Sequence, residues 1–222
     1  MKSAARRSLD AVVAGVAPQL EHAGFRKRGD TFTRALDDGM THVVDFQLAR
    51  VDPPGTREIP PLRVDLHGRF TVTLGVFVPE MTLDPRSDAP APPWLREADC
   101  QLRMRIGRLL PGGEDTWWEL DDSSAAAALA GSALATFGLP WLDRLATRAA
   151  LVAAYESEGG EALGMAPRAP VEIAFLVVAG DPVKAETMLR DHLASDLRPQ
   201  HRSWVEGLLA ARGMGNLLTP LR

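Results

Sequence analysis

Between Leu62 and Val78 apolar and polar residues alternate. Leu62, Val64, Leu66, Phe70, Val72, Leu74, Val76 and Val78 occupy even positions, broken by Gly68, while Arg63, Asp65, His67, Arg69, Thr71 and Thr73 occupy odd ones. Period two predicts a strand with one buried and one wet face. The run is too long for one ordinary strand, so a bend or bulge is expected at Gly68 or Gly75. Upstream, Leu9, Val12, Val13, Val16 and Leu20 recur at helical spacing. They predict an amphipathic helix over 3–23, kinked or broken by Gly15 and Pro18 and stopped at Gly24. Residues 24–36 read as a strand interrupted near Gly29 and Asp30. Asp37, Asp38 and Gly39 signal a tight turn. The return strand spans 40–51, with His42, Val44, Phe46 and Leu48 sharing one parity and Asp45 and Gln47 the other. Residues 52–61 form a Pro/Gly loop.

Five prolines between 79 and 93 predict an irregular excursion. Alternation returns over 96–108, where Ala98, Cys100, Leu102, Met104 and Ile106 oppose Asp99, Gln101, Arg103 and Arg105. This reads as a fourth strand, and as a helix in the alternative, since Met, Leu, Arg and Gln favour helix. A turn follows at 111–113, then a short extended piece at Trp117 and Trp118. Asp122 or Ser123 can cap a helix that runs through the alanines to Phe137 and stops at Gly138. Pro140 suits the first turn of a helix reaching Tyr155. After a linker over 159–170, helices are expected near 171–179, 182–195 and 199–212. The fold class is therefore α+β: an antiparallel sheet of about four strands against N-terminal and following helices, with a small all-helical C-terminal segment. The expected domains are 1–158 and 171–222.

Charge and composition narrow the function. Lys2, Arg6 and Arg7 before an apolar run resemble a signal peptide, but Asp10 interrupts that run and Pro18 stands where cleavage would fall, so the helix reading is preferred. No stretch is read as a membrane span. The single cysteine, Cys100, excludes an intrachain disulfide and a Cys-rich zinc site, and a reducing cytoplasm is the expected compartment. A formal charge of −4 argues against a protein built for nucleic acid.

GFRKRGDTF (24–32), DFQ (45–47), LGVFVPE (74–80), RIGRLLPGG (105–113), WW (117–118) and GLPWL (138–142) occur in an order that resembles domain-of-unknown-function family 4304. The resemblance covers roughly residues 5–145. It implies a discrete α+β domain of a mostly bacterial family without an assigned activity. Asp45 stands where that family more often carries Asn.

Four groupings carry candidate chemistry. Arg63, Arg69, Arg103 and Arg105 fall on polar strand faces, and Lys27, Arg28 and Gln47 can join Arg105 to hold an anion. The competing reading is a solvated face where the arginines pair with Asp45, Asp65 and Asp99. Asp65, His67 and Asp45 form a candidate metal or acid/base site, with Asp65 and His67, two apart on one strand face, as the acid/base pair. No HExxH, no His pair at helical spacing and no second convergent His accompanies them, so a surface histidine beside a carboxylate is the preferred reading and no metal is expected. Cys100 shares the parity of Leu102 and Met104 and reads as a core residue. Neither GxSxG nor a phosphate-binding glycine loop occurs, so no cofactor is expected. Trp117 and Trp118 must face opposite ways in extended chain, which makes one available to a ligand or partner. The leading expectation is a non-catalytic binding or interaction module that uses the polar sheet face toward a protein partner. The alternative is an enzyme or sensor for a small phosphorylated or nucleotide-like anion.

Overall fold

The computed structural model describes residues 3–36, 38–49, 59, 65–82 and 94–215. Leu62 to Val64, Asp37, nearly all of the 52–61 loop and the prolines from Pro85 to Pro93 lie outside the described residues. The chain forms two compact units, Met1–Phe77 with Trp94–Ala146, and Val78–Pro93 with Thr147–Arg222. The segment Arg148–Glu158 thus groups with the later helices.

The first unit is a six-stranded antiparallel sheet with helices on one face. Its strands are β1 (Arg26–Arg28), β2 (Thr31–Ala35), β3 (Thr41–Leu48), β4 (Arg69–Phe77), β5 (Leu102–Arg105) and β6 (Trp118–Glu119). They pair in the order β1-β2-β3-β4-β5, and β6 joins the same edge of β4 as β5. Four strands were expected. The extra ones arise because Gly29, at positive φ, and Asp30 form a two-residue turn that splits the first strand into a hairpin, and because Trp118 pairs with Phe70. The expected strand over 96–108 shrinks to Leu102–Arg105, flanked by 3-10 turns at Glu97–Asp99 and Ile106–Leu109.

Helix α1 (Ala4–His22) lies over the even-numbered face, capped by Ser3 and burying Leu9, Val12, Val13, Val16 and Leu20. It runs through Pro18 without the expected break. Gly15 serves contact: a Cβ there would come within 2.9 Å of the Ala127 Cβ. Helix α2 (Ser123–Ala133), capped by Asp122 as expected, packs on α1 through Ala126, Ala130 and Gly131, and Gln19 Nε2 donates to the Gly131 carbonyl at 3.0 Å. Gly138 does not stop this helix. A π turn over Leu134–Gly138 carries it into α3 (Leu139–Arg144), with Gly138 pressed against Ile106 and Leu74. Contrary to expectation, the run Ser123–Arg144 is long and apolar enough to cross a membrane, with a mean hydropathy of 1.4 over its most apolar window. Its apolar character has a use within the unit, since Ala126, Ala130, Leu134, Trp141 and Leu142 are all core residues.

Under these helices Phe32, Phe46, Phe70 and Trp118 run diagonally across four strands, with successive ring centroids 5.9, 6.4 and 5.5 Å apart. Each buried phenylalanine contributes roughly 1.5–3 kcal/mol of transfer free energy. At the edge of this core Arg34 donates to the Ala23 carbonyl at 3.1 Å, contacts the Asp143 carboxylate and sits 2.9 Å from His42 Nδ1. Arginine can only donate, so Nδ1 accepts and the imidazole proton resides on Nε2. Burial, then the Arg34 charge, push the His42 pKa down to about 4.

The odd-numbered face of β4 departs from the expected pattern. Eight of its nine residues are buried, so the strand has no wet face. Thr71, Thr73 and Gly75 are small enough to accept a second covering layer, supplied by Trp94–Gln101 and the Glu114–Trp117 segment. Cys100 is buried as expected but on this second face, with Val43, Phe77 and Leu95, and not beside Leu102 and Met104. The strand begins at Arg69 because Gly68, at positive φ, belongs to a turn.

The second unit is helical. It holds a 3-10 turn at Pro79–Met81 and helices α4 (Arg148–Glu158), α5 (Ala169–Val177), α6 (Pro182–Ala194) and α7 (Pro199–Ala211). Thr147 caps α4, which separates it from α3 where one helix to Tyr155 was expected. Asp181 caps α6, and Pro182 and Pro199 open their helices where a missing N–H costs nothing. Val171, Ala174, Phe175, Ala185, Leu189, Val205, Leu208 and Leu209 form the core.

A Cβ at position 75 would meet Cys100 Sγ at 2.6 Å. Gly75→Ala is therefore expected to destabilise the unit by about 1–3 kcal/mol in urea denaturation, and Cys100→Ala in the same chain to recover part of the loss. His42 makes a second prediction. Its folded pKa of about 4 lies below the unfolded value near 6.5, so its contribution is complete above pH 6.5 and is lost as pH falls toward 4. That loss is on the order of 3 kcal/mol. Urea midpoints measured from pH 7 to 4 should fall less steeply in His42→Gln.

Candidate functional site

Strand register places Arg28, Thr31, Asp45, Thr73 and Arg105 in one row across the odd face of the sheet. With strands about 4.8 Å apart, Arg28 and Arg105 stand at opposite ends, roughly 19 Å from each other. Gln47 lies in the next row, opposite Thr71. Lys27 has the other parity: it pairs with Phe32, and its ammonium lies 5.9 Å above that ring on the α1 side. There it borders a second recess with Arg6, Asp10 and Asp30. The expected set Lys27, Arg28, Gln47 and Arg105 therefore does not converge. Alternation assigns a residue to a face, but strand order assigns its distance.

Arg105 is already engaged. Its Nη1 donates to Asp115 Oδ2 at 2.5 Å, its guanidinium lies 4.9 Å from the Trp117 ring centroid, and Trp117 Nε1 donates to the same carboxylate oxygen at 3.1 Å. Trp118 points the other way, onto Phe70. The tryptophans do face opposite directions, and both are half-buried. The ion-pair partners differ from those expected: Arg69 takes Glu119 and Arg103 takes Glu97, at 3.2 and 3.7 Å. Arg63 lies outside the described residues. Asp65 and His67 are not on a strand; they sit in the turn before β4, where Asp65 Oδ1 accepts from the His67 backbone N–H at 2.9 Å. That bond commits the carboxylate to the turn. Among the described residues no three His, Cys, Asp or Glu side chains group as a metal site.

The recess on this face forms at the Arg28 end of the row. It encloses about 480 Å³ and is lined by Arg28, Gly29, Asp30, Thr31, Asp45, Phe46, Trp94 and Arg96. The β1–β2 turn makes one wall, and the chain entering the Glu97–Asp99 turn makes another. Asp45 lies between them. Its Oδ1 accepts from Thr31 Oγ1 at 2.6 Å and its Oδ2 from Gln47 Nε2 at 3.2 Å, while Gln47 also donates to Glu97 at 2.9 Å. Burial raises the Asp45 pKa above the ordinary value against the pull of those hydrogen bonds and of Arg96. The guanidinium of Arg28 lies 5.8 Å from the Trp94 ring centroid. Among the described residues neither Arg28 nor Arg96 forms a side-chain ion pair within 4 Å. The Trp94 indole N–H is buried without a hydrogen-bond partner. Such a donor costs free energy until something accepts from it.

Sequence reading missed Thr31, Asp45, Trp94 and Arg96 as one group. The visible signals were modest: the Gly-Asp turn after a basic triplet, and a tryptophan closing a proline-rich stretch. Residues 65–144 match the family model described as a domain of unknown function, DUF4304, the family whose motifs the chain resembles. The match includes Trp94 and Arg96 but not Arg28 or Asp45. No curated protein and no solved structure matches the chain.

The folded protein holds a proton on Asp45 more readily than the unfolded chain does, so ionising this group destabilises the fold as pH rises through the raised pKa. Asp45→Asn should therefore raise the urea midpoint at pH 7, and the gain should vanish below pH 4. A gain that persisted in acid would assign the effect to packing.

Proposed function

We propose that the sheet-bearing unit is a binding module without catalytic chemistry, which holds an anionic group of its partner in the recess between Arg28, Trp94 and Arg96. The observation that supports this most directly is an excess of donors: two arginines without ion pairs among the described residues, beside a buried indole N–H without an acceptor. Guanidinium groups recognise carboxylate and phosphate through paired N–H donors, and an indole N–H can only donate. Both Asp45 oxygens already accept hydrogen bonds, which favours a positioning role over proton transfer. A protein with exposed acidic side chains is the partner class we favour, and a reducing cytoplasm suits the lone buried thiol. The volume favours a second reading, a sensor of a small phosphorylated or nucleotide-like ligand, because about 480 Å³ falls within the range of small-molecule sites.

The test compares wild type with Arg28→Glu/Arg96→Glu, each verified as folded by circular dichroism. Stoichiometric retention of an acidic protein by wild type and its loss in the variant is the expected result. A rise in melting temperature with inorganic phosphate or nucleotides, absent in the variant, would select the sensor reading; ligand at 100 times Kd stabilises by about 2.7 kcal/mol. Binding of either kind that survives the double substitution would remove the recess from the function. Arg105→Glu, at the far end of the row, should leave binding within about twofold of wild type, because interactions beyond a Debye length are largely screened.

A further inference from the structure

The second unit contains a pair of side chains that the recess does not involve. His192 is in the last turn of α6 and His201 in the first turn of α7. Their Nε2 atoms are 2.9 Å apart, with the rings nearly perpendicular at 89°. His192 is 9% exposed and His201 half-buried. We propose that these two imidazoles form a proton-operated latch which fastens α7 onto α6 near neutral pH and releases it on acidification.

An N–H···N bond needs one ring to donate and the other to accept. Two neutral imidazoles satisfy this. One added proton on the donor ring preserves it and strengthens the bond. A second proton removes the acceptor and leaves two like charges at contact, one of them shielded from water. Burial and then the neighbouring His201 hold the His192 pKa below its ordinary value, so the latch is complete above pH 6.5 and weakens as pH falls toward the folded value.

The Trp204 ring lies 5.5 Å from the His201 ring and favours a first imidazolium there, but among the described residues no carboxylate hydrogen-bonds to either ring to offset a second charge. On α6 itself, Arg190 is bound to Glu186, and Asp191 precedes the latch residue. The connector carries Asp196 and Arg198, and on α7 Arg202 donates to the Ser195 carbonyl. Ser195 Oγ donates to the His192 carbonyl at 2.7 Å. Helix α5 brings apolar Val171, Ala174 and Phe175 to the shared core, and its Glu172 accepts from Arg168. Among the described residues the charge that acts on His192 is that of His201. Helices α5 and α6 approach backbone to backbone, whereas α7 is joined to them through Val205, Leu208 and Leu209. Releasing the latch would expose those three side chains, creating an apolar surface in acid.

The experiment is amide hydrogen exchange on the full chain from pH 7.5 to 5, corrected for the chemical exchange rate. Proton NMR of the histidine rings follows the titration of each site. Exchange within 199–211 should rise severalfold over this range, because the native pair resists the second proton that the released helix accepts. The rise should track His192 titration and spare 123–144. In His201→Gln and in His192→Gln, neither of which can place two charges at the junction, α7 exchange should lose its pH dependence. An unchanged wild-type profile, or the same rise in both variants, would overturn the latch. So would stoichiometric Zn²⁺ binding that is lost in either variant, because the pair would then be a metal ligand set.

Discussion

Burying Arg69–Phe77 on both sides imposes two covering layers on the first unit, and the side chains on each face decide what those layers are made of. On the even face Phe70, Val72, Leu74 and Val76 present bulk, and helix α1 with the run Leu134–Arg144 supplies the complement, α2 packing behind on α1. On the odd face Thr71, Thr73 and Gly75 present little volume, so an irregular segment of chain can lie close. Gly75 sets that distance: only a residue without a Cβ leaves room for Cys100. The layer is thin, and it satisfies its polar atoms locally, as where Thr71 donates to the Thr116 carbonyl at 2.9 Å. Buried threonines without such acceptors would cost about 1–3 kcal/mol each.

The thin layer also explains where the recess lies. It covers the middle of the odd face, over β4, and ends before the β1–β2 hairpin. Polar groups along the row therefore differ in their surroundings. Thr73 is sealed, Arg105 is half-exposed with Asp115 and Trp117 as partners, and Asp45 occupies the boundary. A carboxylate at such a boundary keeps its hydrogen bonds but loses part of its hydration, which raises its pKa. Thr31 and Gln47 hold the Asp45 carboxylate by hydrogen bonds, while Arg96 acts on it through its charge without an ion pair.

The helical unit is organised by different means. Its helices are short, and their termini are specified by Thr147, Asp181, Pro182 and Pro199. Its core is one cluster of aliphatic residues around Phe175. Arg212 adds a cation over the Phe175 ring, 5.1 Å from the centroid, and donates to the Thr82 carbonyl at 3.1 Å. These contacts join the 3-10 turn near Pro79 to the end of α7. Against this apolar packing the histidine pair is the polar joint between the last two helices.

Local pattern was sufficient for much of the architecture. The α1 stripe, the β2–β3 return, the alternation of β4, the Asp122 cap and the starts of α6 and α7 are written in residues close together in the chain, where periodicity and capping act. Cys100 was legible as buried. What the sequence could not specify by itself was which faces meet. The threonines of β4 read as wet because they are polar, yet two later segments, Trp94–Gln101 and Glu114–Trp117, seal them. Gly138 read as a stop because glycine ends helices, yet packing against Ile106 and Leu74 carries the helix through it. Lys27 and Arg28 read as one basic cluster, yet adjacent strand residues point to opposite faces. The recess belongs wholly to tertiary structure: Arg28, Asp45 and Trp94 are far apart in the chain, and only strand pairing and the return of residues 94–101 bring them together. The same holds for His192 and His201, whose rings meet because the connector folds α7 back against α6.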